Sequence, residues 1–310
     1  MTKSTKPIKD HLNDFLDWLE IEKGLSSKTQ ENYSRFLKKF LNWLKKNKIE
    51  NLKPHELSPN HVWDYRTYLA RQKSPRTQES LKKSTQNYYL IALRSLLSFF
   101  TERDILSLPS DKIKLARKKD GKVVSFLDLE QLERLFKAPN TSTFHGLRDR
   151  AILEVFFSTG MRIAELVNLN RNQIKITSQT NELSITIIGK GSKPRIVYFS
   201  EKSIDWLKKY LQKRDKIVDQ TALFVSKKGR LTPRSIQKNI KKYAIQAGLP
   251  LTTTPHVMRH SFSTDLLNKG VDIRVLQEFL GHSSITATQI YAHVTNKRLQ
   301  DIHHKFHGKR

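Results

Sequence analysis

The chain is 310 residues long, about two domains' worth by a rule of roughly 150 residues each, and 37% of it is hydrophobic, enough for ordinary cores. It has no Cys, which excludes a disulfide framework, thiolate zinc sites and a cysteine nucleophile together. Lys and Arg number 57 against 29 Asp and Glu, a net charge of +28. A chain this basic repels itself unless it meets a polyanion. Residues 1–120 hold 25 basic against 14 acidic side chains and residues 121–310 hold 32 against 15, so both halves are positive. That fits a two-part grip on nucleic acid better than a basic tail on a neutral body. No uncharged run approaches the length of a membrane span, and the opening MTKSTKPIKD has no apolar stretch of the secretory type. A cytoplasmic, nucleoid-associated protein without a membrane partner is expected.

The first hundred residues predict four helices. Ile8, Leu12, Phe15, Leu16 and Leu19 recur at helical spacing, and so do Tyr33, Phe36, Leu37, Phe40, Leu41 and Leu44, with Gly24 between the two sets. Ser58 before Pro59 is an N-cap and first-turn pair for a third helix carrying Val62, Tyr65 and Leu69. Ser84 is placed to cap a fourth, with Leu90, Leu93, Leu97 and Phe100 facing inward. Between them, residues 71–85 are basic and polar, either a solvated loop or an edge that faces DNA. Residues 109–123 lack periodicity and hold Pro, Gly and a basic cluster, which reads as a linker between an N-terminal DNA-binding domain, 1–108, and a C-terminal domain, 124–310.

In the second half, Ala151, Ile152, Val155 and Phe156 form a buried stripe that Gly160 ends, and a new helix starts over residues 162–169. Three β-type runs follow at 173–177, Leu183–Ile188 and Pro194–Phe199, the last two joined by Gly189-Lys190-Gly191-Ser192-Lys193. A small antiparallel three-stranded β-sheet with Lys190 at its tip is expected, with helices from residue 202 onward.

The Gly189-Lys190-Gly191-Ser192 turn lacks the GxxxxGK[ST] spacing and lies between strands, so it is no nucleotide phosphate loop. His256 and His260 could share a helix face, but there is no HExxH and no third ligand, and no metal site is expected. His-x-x-Arg occurs at His145/Arg148, His256/Arg259 and His307/Arg310, and context separates the three. Thr254 and Pro255 predict a helix starting at 255, which puts His256 and Arg259 on one face beside free N–H groups that welcome an anion. His145, beside Gly146, is expected in a loop, and His307 lies near the terminus. Further on, residues 271–280 form an amphipathic helix stopped by Gly281. His282 follows, and Ser283-Ser284 restarts a helix that carries Tyr291.

Taken in order, Ser158-Thr159-Gly160-Met161-Arg162-Ile163-Ala164-Glu165-Leu166, the Gly189-Lys190-Gly191 turn, His256-Val257-Met258-Arg259-His260-Ser261-Phe262-Ser263-Thr264, and Leu280-Gly281-His282-Ser283-Ser284 leading to Tyr291 resemble the signature of the tyrosine recombinase, or phage integrase, family. The likeness is greatest to its Xer branch. Leu25-Ser26-Ser27-Lys28-Thr29 before a helix ending in Trp43-Leu44 is similar to that family's SAM-like core-binding domain.

The resemblance implies a mainly α, two-domain DNA clamp: a four-helix core-binding domain and a helical catalytic domain. It implies a site-specific recombinase that cuts and rejoins double-stranded DNA through a 3′-phosphotyrosyl intermediate and a Holliday junction, without metal or organic cofactor. Tyr291 would be the nucleophile, since a phenolate near its ordinary pKa of about 10 is also a workable leaving group in the reverse step. Arg162 and Arg259 would fork onto the non-bridging phosphate oxygens. His256 would assist proton removal from Tyr291, Lys190 would protonate the departing 5′-oxygen, His282 would hydrogen-bond the phosphate, and Glu165 would orient a neighbour. Four protomers, alike or of two kinds, would act on two DNA sites, with a partner recombinase or a host activator as further candidates. The stripe Leu299, Ile302 and Phe306 would pack on its own core or dock on the next protomer. Chromosome dimer resolution at cell division and integration or excision of mobile elements both fit. Type IB topoisomerase-like relaxation and a non-catalytic DNA-binding protein on the same scaffold are the competing readings.

Overall fold

The computed structural model describes residues 1–74, 78–116, 125–189, 193–215 and 221–281. The chain separates into two compact units, Met1–Gly121 and Lys122–Arg310, each with its own hydrophobic core. Among the described residues no helix is long and apolar enough to cross a membrane.

The first unit is built from α1 (Leu12–Ile21), α2 (Ser27–Lys46), α3 (Pro59–Arg71) and α4 (Lys83–Glu102). Its apolar stripes meet in one core, where Phe15, Phe40, Tyr65, Leu93 and Phe100 are all buried. Ser58 caps α3, its hydroxyl accepting from the His61 N–H, with Pro59 in the first turn. Helix α4 starts at Lys83 with Lys82 at its N-cap, two residues too early for Ser84 to cap it. Gln86 steadies that entry by donating to the Leu81 carbonyl at 2.7 Å. The polar stretch ahead of α4 doubles back on itself, with a bridge between Lys73 and Ser80 and a bond from the Leu81 N–H to the Gln72 carbonyl. The start of the aperiodic stretch after α4 packs with this unit. Ile113 is buried in its core, and Asn87 exchanges two hydrogen bonds with the backbone of Ala116. Ile113 and partly buried Leu115, two positions apart in a basic run, are too few to leave a periodic trace.

The second unit runs α5 (Leu129–Lys137), α6 (Phe144–Thr159), α7 (Ile163–Val167), β1 (Leu183–Ile188), β2 (Pro194–Phe199), α8 (Glu201–Arg214), β3 (Val225–Ser226), β4 (Gly229–Arg230), α9 (Pro233–Gln246), α10 (Pro255–Asn268) and α11 (Ile273–Leu280). Helix α6 is buried nearly all round, with Ala151, Ile152, Leu153, Val155 and Phe156 in the core, the pattern of a central helix rather than an amphipathic one.

Three expectations need correction. Residues 173–177 are not a strand, and the sheet is a two-stranded antiparallel hairpin, β1 with β2, in register from Leu183 opposite Phe199 to Ile188 opposite Pro194. Ile174 is buried and Ile176 partly so, which mimics strand alternation, but the backbone is spent in turns: Arg171–Gln173 is a 3-10 turn, and the Thr177 N–H goes to the Thr180 hydroxyl. Second, the stretch after residue 202 is not helical throughout, because β3 and β4 form a hairpin too short to show a period. Third, His145 lies in α6 and not in a loop, since Thr143 caps that helix by accepting from the Gly146 N–H. Gly146 is there for space: a Cβ would lie 1.9 Å from the Asn140 carbonyl oxygen.

Gly160 ends α6 in the left-handed conformation, φ 56°, and a Cβ on it would lie 2.4 Å from Cδ1 of Phe262. Gly160→Ala combines a left-handed alanine with overpacking, an expected loss of about 2 to 4 kcal/mol. The shift of the urea midpoint of the full chain checks it, and an unchanged midpoint would refute the packing argument.

Candidate active site

Arg162 stands two residues beyond Gly160, at the N-cap of α7. Its backbone N–H donates to Oε2 of Glu165 at 2.6 Å, and its guanidinium donates to Oε1 at 3.1 Å and to the Gly281 carbonyl at 3.3 Å. The side chain keeps 29% of its surface exposed. Arg259 lies in the second turn of α10, whose start is fixed by the Thr254 cap and Pro255. Its guanidinium is buried and donates to the Gly160 carbonyl at 2.6 Å and the Leu280 carbonyl at 2.7 Å.

Both arginines therefore serve helix C-termini, where carbonyls lack intrahelical partners and carry the negative end of the helix dipole. Gly281 ends α11 as Gly160 ends α6, left-handed at φ 60°. The two guanidinium groups hold the successive carbonyls of residues 280 and 281, immediately before His282.

Glu165, 7% exposed at its side chain, lies beneath this pair. Burial alone would push its carboxyl up. Hydrogen bonds from Arg195 and from the Arg162 backbone, with the charge of Arg195, outweigh that and hold it below the ordinary carboxylate range. Among the described residues, the ion pairs of Arg162 and Arg195 go to this same carboxylate, so positive charge is in excess before Arg259 is added. His256 is exposed in the otherwise buried first turn of α10, one turn before Arg259. Next to it, burial first, then the charges of His256 and Arg259, lower His260 to about 4, and it is neutral at neutral pH.

The β1–β2 hairpin reaches the same place. Its turn is closed by the Gly189 N–H on the Lys193 carbonyl at 2.8 Å, and a Cβ on Gly189 would lie 3.0 Å from Nη1 of Arg195 and 3.7 Å from Oε1 of Glu165. A cleft of about 610 Å³ opens here, lined by Arg162, Glu165, Asn168, Gln173, Ile188 and Gly189 among others.

Of the residues singled out in the sequence, Arg162, Glu165 and Arg259 come together, with His256 one turn away on α10. Lys190, His282 and Tyr291 lie outside the described residues, as do His307 with Arg310 and the stripe Leu299, Ile302 and Phe306. Sequence reasoning missed Arg195. It shares a strand face with buried Val197 and Phe199, and an arginine on the core side of a strand requires a buried counter-charge. That was the available signal.

Residues 125–298 match the phage integrase family, and residues 12–104 match the phage integrase N-terminal SAM-like domain. The tyrosine recombinase XerC of Natranaerobius thermophilus is 35% identical over 311 residues, covering 97% of this chain and 100% of its own. The tyrosine recombinase XerD of Lacticaseibacillus casei is 35% identical over 304 residues, covering 96% and 98%. Among solved structures, XerA recombinase is 28% identical with a TM-score of 0.53, covering 98% of this chain and 100% of that one. The pre-cleavage complex of XerH bound to its difH substrate shares the fold at 24% identity and a TM-score of 0.68, covering 94% and 83%. The chain belongs to the phage integrase family. It is a site-specific DNA recombinase of the tyrosine class.

Proposed function

We propose that this recombinase works in the Xer manner on double-stranded DNA, with Tyr291 as nucleophile. The phenol oxygen attacks one backbone phosphorus, a 3′-phosphotyrosyl bond forms, and the bond to the 5′-oxygen breaks. Arg162 and Arg259 bind the non-bridging oxygens and stabilise the charge that grows in the transition state. His256 assists removal of the Tyr291 proton, Lys190 delivers one to the departing 5′-oxygen, His282 hydrogen-bonds the phosphate and Glu165 positions Arg162. The ester retains the bond energy, so a 5′-hydroxyl from a second duplex can reverse the step without ATP. Repeated on two sites by four protomers, alike or of two kinds, this gives strand exchange through a Holliday junction. Residues 1–108 and 124–310 form the two arms of the clamp, residues 109–123 link them, and the terminal helix contacts the next protomer. The setting is the cytoplasm, at the nucleoid.

The observation that carries this reading is the convergence of two guanidinium groups from α7 and α10 on the carbonyls before His282, with positive charge left over for a phosphate. Incubation with a nicked suicide duplex carrying candidate sites tests it. A protein–DNA adduct at the 3′ end left by the break, insensitive to chelator, is expected. No adduct on any duplex, or one formed only with added divalent metal, would overturn the reading.

Duplex affinity should also fall steeply with salt. A clamp that neutralises six to ten phosphates loses roughly a thousandfold or more between about 50 and 200 mM salt. A shallow slope in a filter-binding titration would contradict phosphate contacts along both units.

A further inference from the structure

We propose that Arg195 is a positioning residue for strand cleavage: by occupying both oxygens of Glu165 it prevents that carboxylate from capturing Arg162 and leaves the Arg162 guanidinium available to phosphate. The proposal rests on Arg162 being a phosphate ligand, as argued above.

Two arginines compete for one buried carboxylate, and the competition is unequal. Arg195 donates from Nη1 to Oε1 at 2.8 Å and from Nη2 to Oε2 at 2.6 Å, and its remaining Nε donates to the Phe279 carbonyl at 3.1 Å. Its side chain is 8% exposed. The end of α11 closes over it, for a Cβ on Gly281 would lie 2.8 Å from its Cδ. Each of its three nitrogens has a partner inside the protein.

Arg162 holds the same carboxylate by one 3.1 Å bond and Gly281 by a 3.3 Å bond, with its side chain 29% exposed. Bonds that long yield readily to a phosphate oxygen, which a guanidinium engages at about 2.7–2.9 Å. Glu165 cannot drift away, because the Arg162 backbone N–H pins Oε2 at 2.6 Å. Without Arg195, a buried carboxylate would face Arg162 with its other partner gone. The two would close into a forked pair, and an internal ion pair would compete with DNA for the ligand. A lysine in place of Arg195 offers one point charge and cannot span both oxygens and the Phe279 carbonyl.

The test uses the full chain, comparing wild type with Arg195→Gln, Glu165→Gln and the double variant Arg195→Gln/Glu165→Gln. Single-turnover adduct formation is measured on a nicked suicide duplex at saturating protein, and duplex affinity and the urea midpoint in separate titrations. Arg195→Gln should form adduct about 100-fold more slowly, the scale of a displaced reacting group. Its affinity should hold within about threefold, since many phosphate contacts share the binding. Removing the carboxylate as well should restore the rate at least about tenfold over Arg195→Gln.

A merely structural Arg195 predicts a rate that follows stability, so a rescue seen only where the urea midpoint recovers overturns the proposal, as do equal rates for the single and double variants or wild-type cleavage by Arg195→Gln. Should the single variant fail to fold, the double variant, which leaves no stranded buried carboxylate, decides when set beside Glu165→Gln alone. Cleavage within about tenfold of Glu165→Gln alone supports the proposal, and a folded double variant slower than that overturns it. Failure of the underlying reading looks different: wild type forms no adduct, or Arg162→Gln cleaves at the wild-type rate.

Discussion

Tyr291→Phe should abolish the covalent protein–DNA adduct while duplex affinity stays where it was. The substitution removes one oxygen atom and nothing that binds phosphate, so a chain of net charge +28 keeps its hold on DNA. Chemistry, by contrast, loses the proposed nucleophile, and no adduct should accumulate on the suicide duplex at any time. The other tyrosines of the second unit make poor substitutes. Burial pushes Tyr210 up to about 12, and its hydroxyl donates to the Leu223 carbonyl. Tyr243 is raised by burial and by Asp149, to which it donates at 2.8 Å. Tyr198 is half exposed on β2, and it is the first place to look if the variant still forms an adduct. Peptide mapping of that adduct would decide, and a label on any residue but Tyr291 would overturn the assignment.

The parts of this molecule legible in its sequence are those fixed by local chemistry. Ser58 with Pro59 and Thr254 with Pro255 mark helix starts because cap and first turn are neighbours in the chain. Gly160 and Gly281 mark helix ends because a left-handed turn there suits glycine. Arg162, Glu165, His256 and Arg259 could be placed on elements for the same reason. What escaped was decided by distant partners. Ile174 and Ile176 alternate like strand residues, but the hydrogen bonds around them belong to turns. Gly146 reads as a loop glycine, yet it answers the approach of the Asn140 carbonyl. Arg195 looks like one more basic residue in a basic chain until Glu165, thirty positions earlier, is folded against it.

The two proposed phosphate ligands should separate cleanly by stability. Arg259 is buried and satisfies the Gly160 and Leu280 carbonyls. Arg259→Gln strands both, at about 1 to 3 kcal/mol each, and also removes a charge from the transition state, a further loss of about 10²- to 10³-fold in cleavage. Arg162 is partly exposed and its carboxylate partner is still held by Arg195. Arg162→Gln should therefore cut cleavage comparably while costing less than about 1 kcal/mol of stability, the scale of an exposed pair. Urea titration of both variants beside single-turnover cleavage checks the pairing. Arg259→Lys sharpens it, because the ammonium preserves charge but cannot reach two carbonyls and a phosphate together. If the lysine variant cleaves like wild type, charge alone suffices and the forked geometry has no part in catalysis. If it fails at saturating protein while remaining folded, the same guanidinium joins the ends of α6 and α11 and meets the phosphate, and fold and chemistry share one side chain.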